Sequence, residues 1–305
     1  VVKKMTPKLP SDPNELAKYR GIPAYHIIER KFLAVIAGSK WGQAAADFLT
    51  LSKPVSEYAY PLLSNWDFAV SPGSGAHHTH FGGLASHTLQ NLEYAESWAD
   101  VYDRRGLAVN RDLLYATIII HDSMKRFLYQ FDEAYNLKKA EDPFIAKKED
   151  HHSWVIREMT ARGCDKELVL SVAAIHGIDD VTLESGVRGA AVVNHYLAIG
   201  QAGLQYSEDD VRSEHVIAFL ADSDWHWSGQ AQRKTGVLAE QMAADCGTSP
   251  GHMKIYLGSR FTYEKVGWCI EQYGYEQAKE QFAAMIGAQA GGECAAALRE
   301  RHAQV

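Results

Sequence analysis

Cysteine, surplus positive charge and long apolar runs are all scarce in this 305-residue chain, and each shortage removes a class of function. The four cysteines, Cys164, Cys246, Cys269 and Cys294, lie far apart with no CxxC pair. That pattern fits reduced thiols and argues against a disulfide framework. Lys and Arg number 31 against 38 Asp and Glu, a formal net charge of −7. Nucleic acid and anionic membrane surfaces attract proteins mainly through excess Lys and Arg, so as general partners both are disfavoured, though a local basic patch stays possible. No apolar stretch approaches the roughly 18 residues of a membrane-spanning helix, and Val1-Val2-Lys3-Lys4 does not lead into a secretory apolar segment. A cytoplasmic protein is expected, with a homo-oligomer possible. A phosphate-cradling P-loop, a Rossmann glycine fingerprint and a serine nucleophile elbow are also missing, as are internal repeats and any clear β-hairpin.

What the chain does have is helical periodicity and histidine. The spacing predicts an all-α protein in three parts: a helical extension over 1–75, a metal-binding core over 76–230 and a C-terminal helical region over 231–305 that packs on the core. Ser71-Pro72-Gly73-Ser74-Gly75 marks the first break. After it come His77, His78 and His80 and then a helix placing Leu84, His87, Asn91, Tyr94 and Trp98 on one face. The central stretch runs from Leu113 through Ile118-Ile119-Ile120 straight into His121-Asp122, so a segment that reads as buried on all sides delivers an imidazole and a carboxylate to the interior. A buried carboxylate must be paired or metal-bound. Further helices put His152 with Val155, Ile156 and Met159, His176 with Val169, Val172 and Ala173, and Asp222 with Ala218 and Phe219. His151 points with Trp154 and Glu158 and is the weaker inward candidate of the two adjacent histidines. Residues 131–150 read as a solvated polar loop, with a mobile lid as the alternative.

Six inward polar residues thus collect at the ends of apolar faces: His87, His121, Asp122, His152, His176 and Asp222. Imidazole with carboxylate suits Fe, Mn, Zn, Co or Ni, and four histidines with two acids exceed what one closed tetrahedral zinc takes. Two divalent ions bridged by Asp122, with a water or hydroxide between them, are expected, iron or manganese being favoured.

The ordered set Gly82-Gly83-Leu84-Ala85-Ser86-His87-Thr88-Leu89, His121-Asp122-Ser123-Met124-Lys125, His152, His176 and Leu220-Ala221-Asp222 resembles the HD superfamily of metal-dependent phosphohydrolases. The resemblance spans roughly residues 77–227. It implies an all-helical fold with His87, His121, Asp122 and Asp222 on one ion and Asp122, His152 and His176 on a second. It further implies a phosphomonoesterase or phosphodiesterase acting on a small, nucleotide-like phosphoester. The His77-to-Gly83 lead-in looks like that of exoribonuclease and relaxase-like branches, where the preceding histidines approach substrate. No OB-fold is evident ahead of the core, which weighs against nucleic acid, and no Gly-Tyr-Pro follows the His-Asp pair. Lys125 lies four residues after His121 and three after Asp122, on the same side if the helix continues, where its ammonium can meet a phosphate oxygen. His78, His80, Arg126, Arg188 and His226 are further candidates for substrate contact. The same ligand order also resembles myo-inositol oxygenase and phosphonate-cleaving di-iron oxygenases, so an oxygenase is the alternative function. A regulatory module with a vestigial site is disfavoured, because no ligand position is lost.

Overall fold

The computed structural model describes residues 23–51, 54–56, 67–73, 77–131, 137–139, 151–177, 187–247, 249–258 and 261–289. Helices carry these residues almost throughout. α1 (Pro23–Ile27) passes through a π-helical turn, Ile28–Leu33, into α2 (Ala34–Ile36) and is followed by α3 (Gly42–Leu49), α4 (Gly83–Arg104), α5 (Arg111–His121) and α6 (Lys125–Leu128). Then come α7 (His151–Ala161), α8 (Lys166–Gly177), α9 (Val187–Ile199) and α10 (Ser213–Asp222). The C-terminal layer is α11 (Trp225–Asp245), α12 (Pro250–Leu257), α13 (Tyr263–Tyr273) and α14 (Tyr275–Gln289). The all-α expectation holds with one correction: β1 (Tyr129–Phe131) and β2 (Leu137–Lys139) form a small antiparallel hairpin, Gln130 opposite Lys138. Three-residue strands offer too little alternation to stand out in a sequence.

α5 is the axis of the core. Asn110 starts it, its side-chain oxygen accepting from Leu113 N at 3.2 Å, and from Leu113 to His121 every side chain is buried. A helix apolar on all faces is stable only when surrounded, and α3, α4, α8 and α10 pack around it. Replacing Asn110 with Ala should cost about 1 kcal/mol, read as a lower denaturant midpoint at unchanged slope. An unaltered midpoint would show that the cap contributes nothing.

Packing corrects the predicted face of α4. His87 and Asn91 are buried, but Tyr94 and Trp98 are 43% and 42% exposed, and the stripe continues instead through Leu92, Ala95 and Ala99. Small residues let the second half of α4 lie close to its neighbours, whereas the two large aromatics find no room there. One apolar cluster extends from Ile28 to Ala221, so described residues on both sides of the 71–75 break share it. A second joins Val70 and Phe81 to residues of α11 through α14. No helix among the described residues is long and apolar enough to cross a membrane. The lid-or-loop passage falls mostly outside the described residues.

Candidate metal centre

The histidine-rich lead-in is seated on the start of α4 by its glycines. Gly82 adopts φ 76°, a left-handed conformation that glycine takes at no steric cost. At Gly83 a Cβ would come within 1.8 Å of the His78 carbonyl oxygen. That close approach lets Gly73 N donate to His78 O at 2.9 Å and Leu84 N to Ser71 O at 2.9 Å. His78, bent to φ 53°, and His77 are thereby held over His87, their ring centroids 5.2 and 5.0 Å from it.

His87, His121, Asp122 and Asp222 meet beneath them, each buried, with one ligand atom apiece inside a 4.8 Å span. His87 Nε2 lies 3.1 Å from Asp122 Oδ2 and 3.0 Å from Asp222 Oδ1, and His121 Nε2 lies 3.4 and 3.5 Å from the same two oxygens. Ligands about 2.1 Å from a shared first-row ion are separated by about 3.0 Å at right angles and about 3.4 Å in a tetrahedron. The observed separations match that range. His121 Nε2 is nonetheless buried without a hydrogen-bond partner, so it points into the space between the carboxylates and not along a bond to either. Its Nδ1 sits 2.6 Å from the Ile118 carbonyl. A carbonyl can only accept, so Nδ1 carries a proton and Nε2 is the nitrogen that would take an ion once its own proton has left. Asn91 Nδ2 donates to Asp222 Oδ1 at 2.9 Å and contacts His87 Nε2 at 3.1 Å, steering both.

Asp122 turns its other oxygen to a second donor group. His151 Nε2 is 3.1 Å from Asp122 Oδ1, and neither atom has a hydrogen-bond partner. His176 Nε2 lies 3.9 Å from Asp122 Oδ1 and 3.4 Å from Asp222 Oδ2. The sequence favoured His152 over His151, and the structure brings both beside His176. His151 is the one that meets Asp122, while the His152 ring stacks on His176 with centroids 3.6 Å apart at 15°. The three ring nitrogens again fit within 4.8 Å. The donor sets therefore fit one ion on each side of Asp122.

Burial disfavours charge on all these groups. It takes His151 down to about 3, with the Lys125 ammonium adding to the effect, and lowers His152 and His176 too, so the second group presents neutral imidazoles. Against burial, Lys125 and His121 hold the Asp122 carboxyl well below its usual range. His121 responds in the other direction: burial opposes its charge, but the Asp122 carboxylate raises it to about 10. Such a proton must leave before an ion binds there, so metal affinity should rise with pH.

The other predicted residues divide. α5 stops at His121, so Lys125 does not reach Asp122 along a continuing helix. A turn, Lys125 N to Asp122 O at 2.9 Å, folds it back instead, and Nζ donates to Asp122 Oδ2 at 2.5 Å. His78 Nε2 pairs with Gln90 Oε1 at 3.1 Å, and His80 Nδ1 lies 3.0 Å from the Phe81 carbonyl with its ring 6.0 Å from that of His78. Arg126 is buried in the core. Its guanidinium donates to the Leu49 carbonyl at 3.3 Å, and burial lowers it to about 10, Asp67 and Tyr25 opposing. It is thereby tied to the end of α3. Arg188 and His226 fall in α9 and α11, but their side chains lie outside the described residues. His77, part of the lead-in but not singled out as a candidate site residue, lies beside His87. A loop offers no periodicity to assign its direction.

Comparison with known proteins places the likeness on phosphodiester-cleaving enzymes. The chain is 31% identical over 121 residues to the dihydroneopterin 2',3'-cyclic phosphate phosphodiesterase of Methanocaldococcus jannaschii, a match covering 39% of this chain and 46% of that protein. Over 57 residues it is 46% identical to the 3'-5' exoribonuclease YhaM of Listeria monocytogenes and of Listeria innocua, covering 18% of this chain and 17% of each relative. The matched stretch thus spans less than half the length of each relative. No family model matches the chain, and no solved structure matches it. The relatives are modest in identity and agree in the kind of bond their names describe.

Proposed function

We propose that the protein is a metal-dependent phosphodiesterase of the HD type, with two divalent transition-metal ions held on either side of Asp122. The observation that carries this reading is the division of one buried carboxylate: Oδ2 faces His87 and His121, and Oδ1 faces His151 and His176. His87, His121, Asp122 and Asp222 would hold one ion, and Asp122, His176 and His151, with His152 beside them, the other. Ions bound there would supply Lewis acidity, acidifying a water and offsetting charge on phosphoryl oxygens.

The chain's own residues do the rest. Asp122 and Asp222 bring negative charge to the interior, and Asn91 fixes the orientation of Asp222 and His87. Lys125 lies against Asp122 Oδ2 with an ammonium that can shift to a phosphate oxygen of the substrate. His77 and His78 line the approach above His87 and are placed to hold a substrate oxygen or leaving group. Both relatives are named for phosphodiester chemistry, which favours a diester over a monoester and a hydrolase over a di-iron oxygenase.

The test is turnover of bis(4-nitrophenyl) phosphate by protein freed of metal with a chelator and reloaded with Mn, Co, Ni or Fe under anaerobic conditions. Activity should vanish on chelation and return with at least one ion. Turnover indifferent to chelation would overturn the reading, as would consumption of dioxygen without release of nitrophenol.

A further inference from the structure

Among the described residues, Lys254 forms no ion pair with any carboxylate. It projects from α12, in the C-terminal layer, and is partly buried. Its Nζ donates to Thr79 Oγ1 at 2.8 Å and to Tyr263 Oη at 3.3 Å, and stands 4.8 Å from the Tyr263 ring centroid. Glu240 acts on it only at a distance. Burial takes its pKa down to about 8, so it remains largely charged at neutral pH. A buried ammonium held by two hydroxyl groups is incompletely compensated and favours an anion.

Its position gives the anion an identity. Thr79 sits between His78 and His80, in the segment held over His87, and Phe81 anchors the same segment in the C-terminal apolar cluster. The end of α12 closes on that segment from the other side, where a Cβ at Gly258 would lie 3.8 Å from His80 Nδ1. Thr79 is partly exposed and adjoins His78, whose ring centroid is 5.2 Å from that of His87, and its hydroxyl, which accepts from Lys254, still has a hydrogen to donate.

From this arrangement we infer that Lys254 and Thr79 form a subsite for a second, non-scissile phosphate of the substrate, supplied by the C-terminal layer. The inference rests on the phosphodiesterase reading and narrows its substrate class to diesters carrying a further phosphate near the cleaved bond. Lys254 would act in binding, while the chemistry stays with the Asp122 centre.

Two chromogenic esters test it on the full, metal-loaded chain: thymidine 5'-(4-nitrophenyl phosphate) with and without a 3'-phosphate. Wild-type protein should turn over the 3'-phosphorylated ester with a KM roughly tenfold lower, the gain of one charge-assisted contact. Lys254→Met should abolish that preference through KM with kcat little changed, and Lys254→Arg should retain part of it. Bis(4-nitrophenyl) phosphate, which has a single phosphate, should be hydrolysed equally by all three proteins. A wild type that does not prefer the 3'-phosphorylated ester, or that turns over neither thymidine ester, overturns the subsite. So does a Lys254→Met protein that loses bis(4-nitrophenyl) phosphate turnover in proportion, since Lys254 would then be merely structural. Failure of wild-type protein to hydrolyse bis(4-nitrophenyl) phosphate with any ion would instead overturn the phosphodiesterase reading itself.

Discussion

Asp122→Asn should lower phosphodiester turnover by on the order of 10^4-fold or more, the scale seen when one member of a group that acts as a unit is lost. The side chain keeps its shape, so packing around the end of α5 is preserved, but one oxygen is replaced by an NH2 that cannot ligate. Because Oδ1 and Oδ2 face different donor groups, either orientation of the amide damages one of the two sides. The charge is lost as well, leaving Lys125 without its carboxylate partner. Two opposing effects then bear on stability. Removing a buried carboxylate relieves its desolvation, while leaving Lys125 unpaired costs a comparable amount, so the melting temperature of metal-free protein should move far less than activity. Turnover within tenfold of wild type at saturating metal would contradict this role for Asp122.

The second large effect lies outside the centre. Glu158, on α7, is fully buried and fully partnered: its oxygens accept from Val55 N at 2.8 Å, Ser56 N at 2.8 Å and Arg162 Nε at 2.8 Å. It ties the segment after α3 to the helix that carries His151. Glu158→Ala should destabilise the protein by about 3 kcal/mol, because it removes the shared acceptor of three charge-assisted hydrogen bonds. Against burial, these donors lower the Glu158 pKa from its ordinary 4.5. A carboxylate whose folded pKa is depressed contributes stability that is present above its unfolded value and lost as pH falls through the folded one. The gap between wild type and Glu158→Ala in chemical denaturation should therefore be full above about pH 4.5 and narrow below it. A gap that stays constant into acid would show that packing, not the charge, is what Glu158 provides.

Glu158 also shows where sequence reading stops. Periodicity placed it on a face with His151 and Trp154, but nothing local indicates that a backbone segment 103 residues earlier supplies its donors. The same limit applies to Lys254, whose partner Thr79 lies 175 residues earlier in the chain. By contrast α5 was legible, because nine consecutive buried residues ending in His121 leave few alternatives to a surrounded helix. His87 and Asn91 were legible by their four-residue step, yet the same face failed at Tyr94 and Trp98, where side-chain size, not spacing, decides what fits. His151 and His152 could not be separated, since adjacent residues differ by about 100° around a helix. At the first turn of α7 both directions open on the centre. Lys125 reached its partner for a reason other than the one its spacing gave, through a turn after the helix had ended.

The ion count per chain tests the central idea most directly. Metal-free protein reloaded anaerobically with Mn or Fe, passed through a desalting column and assayed by elemental analysis should retain two ions per chain. His176→Ala should retain one, and Asp122→Ala close to none. A wild-type protein that holds a single ion, or an Asp122→Ala variant that still holds two, would contradict a centre built on both oxygens of that carboxylate.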